Sequence, residues 1–217
     1  METPHVLVLY AKITGELSAN CWNTYLDQLS QDLRDKATSY VNWKDQHAYV
    51  FGKLLLMKAI EKYGYPPGDL SGIQYTAYRR PYLSADFDFN ISHSGEYVMC
   101  AIGAGLRLGI DIEAVRSIDF EDFRNVMTPG EWKDIHNAKH PITTFFRYWT
   151  IKESAIKADG RGLSVPLLEV QVQRSHVQLG DASWYYQEFH HIKGSCLSIA
   201  TDHEKFTVDW EEVDFYD

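Results

Sequence analysis

The sequence predicts an α+β protein built as two similar halves, residues 1–105 and 106–217. Three observations carry this expectation. Stretches of period two alternate with stretches of helical period, in the order strand, helix, strands and then strand, helices, strands. No low-complexity linker separates the two runs, which meet near Gly103–Leu108. The 217 residues, 45% hydrophobic and 14% aromatic, suffice to bury a good core. No close repeat relates the halves, so their likeness is topological.

Taken in order, Val6–Tyr10 is an apolar run of strand length, and residues 15–41 are helical in pieces, with Leu26, Leu29 and Leu33 on one face. Lys44–Tyr63 is a helix, because Val50, Leu54 and Met57 recur at helical spacing and Gly64 with Pro66-Pro67 stops it. Ile73–Tyr78 reads as a strand, Arg79-Arg80-Pro81 as a turn, Phe87–Ile91 as an alternating strand and Val98–Ile102 as a short apolar one. Gly103-Ala-Gly105 turns the chain into a strand at Leu108–Glu113. These glycines, with Gly109, have the wrong spacing for a dinucleotide fingerprint, and a strand follows where that motif needs a helix. Phe120–Val126 and Pro129–His136 form short helices. A long helix starts at Pro141, where a missing N–H costs nothing, and ends near Gly160. Val170–Val172, Trp184–Phe189, Cys196–Ala200 and Phe206–Trp210 complete the strands.

Composition narrows the function. A net charge of −9 argues against nucleic acid, so any anionic ligand must meet a local basic cluster. Cys21, Cys100 and Cys196 are odd in number and lack CxxC spacing, which points to reduced thiols. No run approaches a membrane span, and no basic region precedes Val6–Tyr10, so a cytoplasmic protein is expected. The histidines, His190-His191 included, show no metal-ligand spacing, and the acidic tail Glu211–Asp217 reads as a solvated end.

Two stretches carry chemistry. In the long helix, Phe145, Trp149 and Ile156 share an apolar stripe, while Thr150, Glu153 and Lys157 share a neighbouring one. A carboxylate and an ammonium one turn apart make either a surface ion pair or part of a metal-and-phosphate site. In Leu108-Gly-Ile-Asp-Ile-Glu113, alternation sends Asp111 and Glu113 to one face and Ile110 and Ile112 to the other. Such a pair is either a wet strand edge or a seat for a hard divalent cation.

Together, Gly109-Ile-Asp-Ile-Glu113 and Trp149-x-x-Lys-Glu-Ser-x-x-Lys157 resemble the signature of 4′-phosphopantetheinyl transferases of the long, surfactin-synthetase-activating type. Asn90-Ile-Ser-His-Ser-Gly95 lies upstream at the family's usual distance, and the resemblance runs from about Lys36 to Pro166. It implies two α+β halves with the active site between them, in a monomer. It also implies transfer of the 4′-phosphopantetheine arm of coenzyme A to a serine of an apo acyl or peptidyl carrier protein, releasing 3′,5′-ADP.

By the same resemblance, Asp111, Glu113 and Glu153 match the acids that bind Mg²⁺, and Lys157 matches a lysine on the pyrophosphate. Glu153 is the better general base, and Glu131 matches another acid that shares that role or only favours a helix start. Lys36, Arg80, Ser92, His93 and Lys152 match cofactor-binding positions. The chain departs at Ala48, where this type commonly carries an arginine after the histidine; the contact is lost, passes to His47 or Arg79, or the match is shifted by one residue. Two other classes compete: a binding-only homologue with a broken acid set, and another metal-dependent phosphotransferase or hydrolase using the same carboxylates.

Overall fold

The computed structural model describes residues 3–66, 68, 70–83 and 86–216; Pro67 and Asp217 therefore lie outside the described residues. The chain opens with β1 (His5–Lys12), α1 (Ala19–Leu26), α2 (Gln31–Thr38) and α3 (Trp43–Lys62). A two-stranded hairpin, β2 (Gln74–Tyr75) and β3 (Pro81–Tyr82), precedes β4 (Phe87–Ser94), β5 (Tyr97–Ala104) and β6 (Leu108–Ala114). A 3₁₀ turn at Phe120–Phe123 leads to α4 (Pro129–Asn137) and α5 (Pro141–Asp159). Last come β7 (Gln171–Val172), β8 (His176–Leu179), β9 (Ala182–Phe189), β10 (Ser195–Thr201) and β11 (Thr207–Glu212). This is the expected α+β class, with β8 added to the strands read from sequence and with β3 starting at Pro81, where the sequence predicts a turn.

Two sheets organise it, ordered β11-β1-β5-β4 and β6-β10-β9-β8-β7. The strand expected at Phe206–Trp210 does not stay with its sequence neighbours. As β11 it runs parallel to β1, from His5 opposite Thr207 to Tyr10 opposite Glu212. Beyond it, Phe215 is buried in the core beneath the first sheet, beside Phe51 of α3. Val6, Val8, Met99 and Ala101 of the first sheet share another core with Ile110, Ile112, Leu197 and Ile199 of the second. The apolar positions of β6 thus bury as the alternation predicts. Phe145 and Trp149 instead join an aromatic cluster with Met127 and Ile135, apart from the one that holds Ile156.

Two glycines set where α5 lies. At Gly109 a Cβ would run into the Ser154 carbonyl and the Ala158 backbone nitrogen, so only glycine lets the helix cross β6 this closely. Gly160, at φ 92°, caps α5 in the left-handed conformation and donates to the Ile156 carbonyl.

The sheets meet edge to edge at β4 and β6, and side chains bridge them. Asp88, Asn90, Ser92 and Ser94 accept from the backbone N–H groups of Leu108, Ile110, Ile112 and Ala114 at 2.9, 3.0, 3.3 and 3.0 Å. These rungs satisfy donors that would otherwise stand unpaired on a buried edge.

Candidate active site

The bridged seam, with α5 across it, gathers most of the charged residues singled out above. Asp111 is buried, and its Oδ1 accepts from Lys157 Nζ at 2.6 Å and from Ser92 Oγ at 2.9 Å. Its Oδ2 is buried with no hydrogen-bond partner among the described residues. Burial drives the Asp111 carboxyl upward, as does Glu113, against the pull of Lys157. Glu113 Oε2 accepts from Ser94 Oγ at 2.9 Å and from Arg116 at 3.3 Å. Glu153 sits one helical turn before Lys157 and is pushed up to about 7, first by desolvation and then by the charge of Asp111, with Lys157 opposing. Lys157 Nζ also donates to Ser92 Oγ at 3.0 Å and to the Ile110 carbonyl at 3.2 Å.

His93 keeps solvent-facing surface at the end of β4, yet desolvation and then the Lys157 charge lower its pKa. Arg80 lies among these elements as a tie. Its Nε donates to the Lys157 carbonyl at 3.0 Å, and its Nη2 to Asp88 at 2.6 Å and to the Leu108 carbonyl at 3.1 Å. The preceding Arg79 is in the left-handed region at φ 62°.

Lys152 and Glu131 are held elsewhere. Their side chains pair at 2.7 Å, only 1% and 6% exposed, and Lys152 Nζ also donates to the carbonyls of Val126 and Leu167. Glu131 closes the capping box of α4, where its Oε2 accepts the Thr128 N–H at 2.7 Å. Neither touches Asp111, Glu113 or Glu153 among the described residues. Lys36 is exposed on α2, its ammonium 5.0 Å over the Tyr40 ring.

The Ala48 question is partly answered by neighbouring groups. His47 is buried, its Nδ1 donating to the Trp43 carbonyl at 2.8 Å and its Nε2 accepting the Leu17 N–H at 3.0 Å. No ring nitrogen remains for a phosphate. Sequence reasoning passed over Lys53, one helical turn and a residue further along α3. It is largely buried, 5.2 Å over the Tyr49 ring, and desolvation lowers its pKa. A lysine inside an apolar helix face was the available signal.

Among the described residues no three His, Cys, Asp or Glu side chains are gathered as a finished metal cluster. The donor set nevertheless fits a hard divalent ion: a buried carboxylate oxygen without a partner, beside two further carboxylates whose charges oppose one another. A cavity of about 430 Å³ lies across α5, lined in part by Asp134, Tyr148, Arg147 and Glu188. Of its charges, Arg147 is held by both Glu188 oxygens at 2.6 and 2.7 Å, and Asp134 accepts from Tyr148 at 3.0 Å.

Acidic oxygens are set against a lysine at a seam between two sheets, and comparison with known proteins places the chain in a family. The family model described as the 4′-phosphopantetheinyl transferase superfamily matches residues 107–208. One described as 4′-phosphopantetheinyl transferase, N-terminal, matches residues 16–104. The 4′-phosphopantetheinyl transferase gsp of Aneurinibacillus migulanus is 31% identical over 173 residues, 79% of this chain and 73% of the relative. A 4′-phosphopantetheinyl transferase of Bacillus subtilis is 36% identical over 158 residues, 70% and 69% of the two chains. The 4′-phosphopantetheinyl transferase Sfp of Bacillus subtilis (strain 168) is 27% identical over 204 residues, 88% and 90%. The chain is a transferase; it belongs to the 4′-phosphopantetheinyl transferase superfamily, and within it to the surfactin-synthetase-activating type.

Proposed function

We propose that the chain transfers the 4′-phosphopantetheine group of coenzyme A to a serine hydroxyl of an apo acyl or peptidyl carrier protein, releasing 3′,5′-ADP. The observation that carries this reading is the Asp111–Glu153–Lys157 arrangement: an unpartnered buried oxygen, a carboxyl near neutrality and an ammonium within 2.6 Å of the set. Asp111, Glu113 and Glu153 would hold Mg²⁺, which when bound supplies positive charge to the pyrophosphate oxygens.

The chain's own groups carry the remaining work. Glu153 takes the proton of the incoming serine as its oxygen bonds to phosphorus. Lys157 stabilises the phosphate oxygen of 3′,5′-ADP as its bond to that phosphorus breaks. Glu131 gives up the alternative base role, and Lys152 its cofactor role, because each is occupied by the other in a buried pair.

His93, Lys36 and Arg80 remain cofactor-side groups, with Lys53 as a further source of positive charge. Residues 1–105 and 106–217 serve as the two units flanking the site, with the end of the second crossing back as β11 to complete the first unit's sheet, a division supported by the bridged β4–β6 seam. We place the activity in a cytoplasmic monomer that needs no nucleic acid or membrane. Three unpaired cysteines support that reading; among the described residues no helix is long and apolar enough to cross a membrane.

Intact-mass measurement of an apo carrier protein incubated with this chain, coenzyme A and Mg²⁺ tests the reading. The carrier should gain the mass of pantetheinyl phosphate less water, and only when the metal is present. Coenzyme A binding without any gain on several carriers would favour a binding-only homologue. Release of free phosphopantetheine without a carrier would favour a hydrolase.

A further inference from the structure

Ser92 and Ser94 alternate along β4 as Asp111 and Glu113 alternate along β6, so the pairs face each other in register. Each serine oxygen also receives a backbone N–H from β6, Ile112 for Ser92 and Ala114 for Ser94. A backbone N–H can only donate, so each hydroxyl must send its single proton to the carboxylate. Ser92 additionally accepts from Lys157 Nζ, which fills its remaining lone pair. While Lys157 holds this contact, Ser92 has no hydrogen-bonding capacity left for a phosphate.

The carboxylates answer this arrangement in the same way. Both contacts to Asp111 fall on Oδ1, and Oδ2 is buried without a partner. Both contacts to Glu113 fall on Oε2, which leaves Oε1 open. One oxygen of each acid is pinned and the other is aimed.

We propose that Ser94, with Ser92, is a positioning residue, its hydroxyl fixing the rotamer of Glu113 so that the open oxygen is presented to the divalent cation. This rests on the reading of Asp111, Glu113 and Glu153 as cation ligands. The backbone N–H contact ties each serine to the strand that bears its acid, so the seam transmits the register of the two sheets to the ligand set. Hydrogen-bond partners of metal-binding side chains are worth about 10–100-fold in metal affinity, and a loss of that size is expected here.

The test uses the full chain with Ser94→Ala and Ser94→Thr. Mn²⁺ binding in the presence of coenzyme A is followed by the paramagnetic resonance of free Mn²⁺, and the Mg²⁺ dependence of transfer is measured in parallel. Ser94→Ala should weaken Mn²⁺ binding by about tenfold or more and raise the half-maximal Mg²⁺ concentration to match. The rate at saturating Mg²⁺ and KM for coenzyme A should stay within about threefold, and Ser94→Thr, which keeps the hydroxyl, should restore both metal readouts.

Unchanged Mn²⁺ binding in Ser94→Ala overturns the proposal, as does a Ser94→Thr variant as defective as the alanine. A wild-type chain that binds no Mn²⁺ overturns the cation reading and this inference with it. If Ser94→Ala fails to fold, Ser94→Cys keeps the size, weakens the donor and carries the same expectation.

Discussion

Lys152 and Lys157 leave the same helix five residues apart, and each meets a carboxylate, Glu131 at 2.7 Å and Asp111 at 2.6 Å. Five residues turn the chain by about 140° beyond a full turn, so the pairs open on different sides of α5. Around Lys152 the set is complete, with one carboxylate and two carbonyls for three N–H groups and almost no exposure. Around Lys157 the ammonium is equally satisfied, but the acids are not: Asp111 Oδ2 has no partner and Glu153 is held near 7. A closed buried pair is architecture, whereas an open excess of acid is a place that a ligand must finish.

The comparison breaks first at the closed pair. Lys152→Ala strands Glu131 in the interior and should cost about 3–5 kcal/mol in denaturant-induced unfolding. Most of that should return in a Lys152→Met, Glu131→Leu double variant; a loss well below 1 kcal/mol would mean that the pair is not buried in solution.

Glu153→Gln should act in the opposite direction. A raised carboxyl pKa favours the folded state below the unfolded value near 4.5, and that advantage is lost as pH rises through about 7. Removing the charge should therefore stabilise the metal-free chain at pH 8, by roughly 3 kcal/mol as an upper figure, with the gap closing towards pH 4.5. Transfer should meanwhile fall by about 10²–10⁴-fold. Melting curves across pH and the carrier assay read the two effects separately, and near-normal turnover would remove Glu153 from the site.

Lys157→Ala should lower kcat by about ten- to a hundredfold while moving KM for coenzyme A less, as losing a charge-assisted contact at the leaving group requires. Equal losses in both would make it a binding residue only.

The smallest effect concerns His47, a neutral ring closed in the manner of Lys152. Its pKa is lowered by desolvation, so its contribution is present above about 6.5 and is lost as pH falls through the lower folded value. In a Glu153→Gln background, stability should decline from pH 7 to 5, and less so in His47→Gln.

The open side of this comparison was readable from residues alone; the closed side was not. Period two in β6 placed Asp111 and Glu113 together, helical spacing placed Glu153 one turn from Lys157, and Gly160 announced the helix end. Each is a local signal that burial did not reverse. Lys152 and Glu131 match site positions in the sequence, but a charge in sequence does not reveal its burial, and the two pair in the interior. The capping-box spacing of Thr128 and Glu131 was the one hint of a structural role. Alternating Asp88, Asn90, Ser92 and Ser94 are plain in the sequence, but their meaning depends on a strand edge 20 residues further on. The destination of β11 depends on every connection between.

That strand has a consequence for how the chain is made. Because β11 lies against β1, the first sheet lacks one of its four strands until residues 207–212 have left the ribosome. Phe215 reaches the core under that sheet later still. The leading half therefore waits until those residues are made with the outer edge of β1 unpaired, a stretch that invites the wrong partner. Folding should commit late, and a nascent chain stalled before residue 207 should be open to protease at β1 while the finished chain is not.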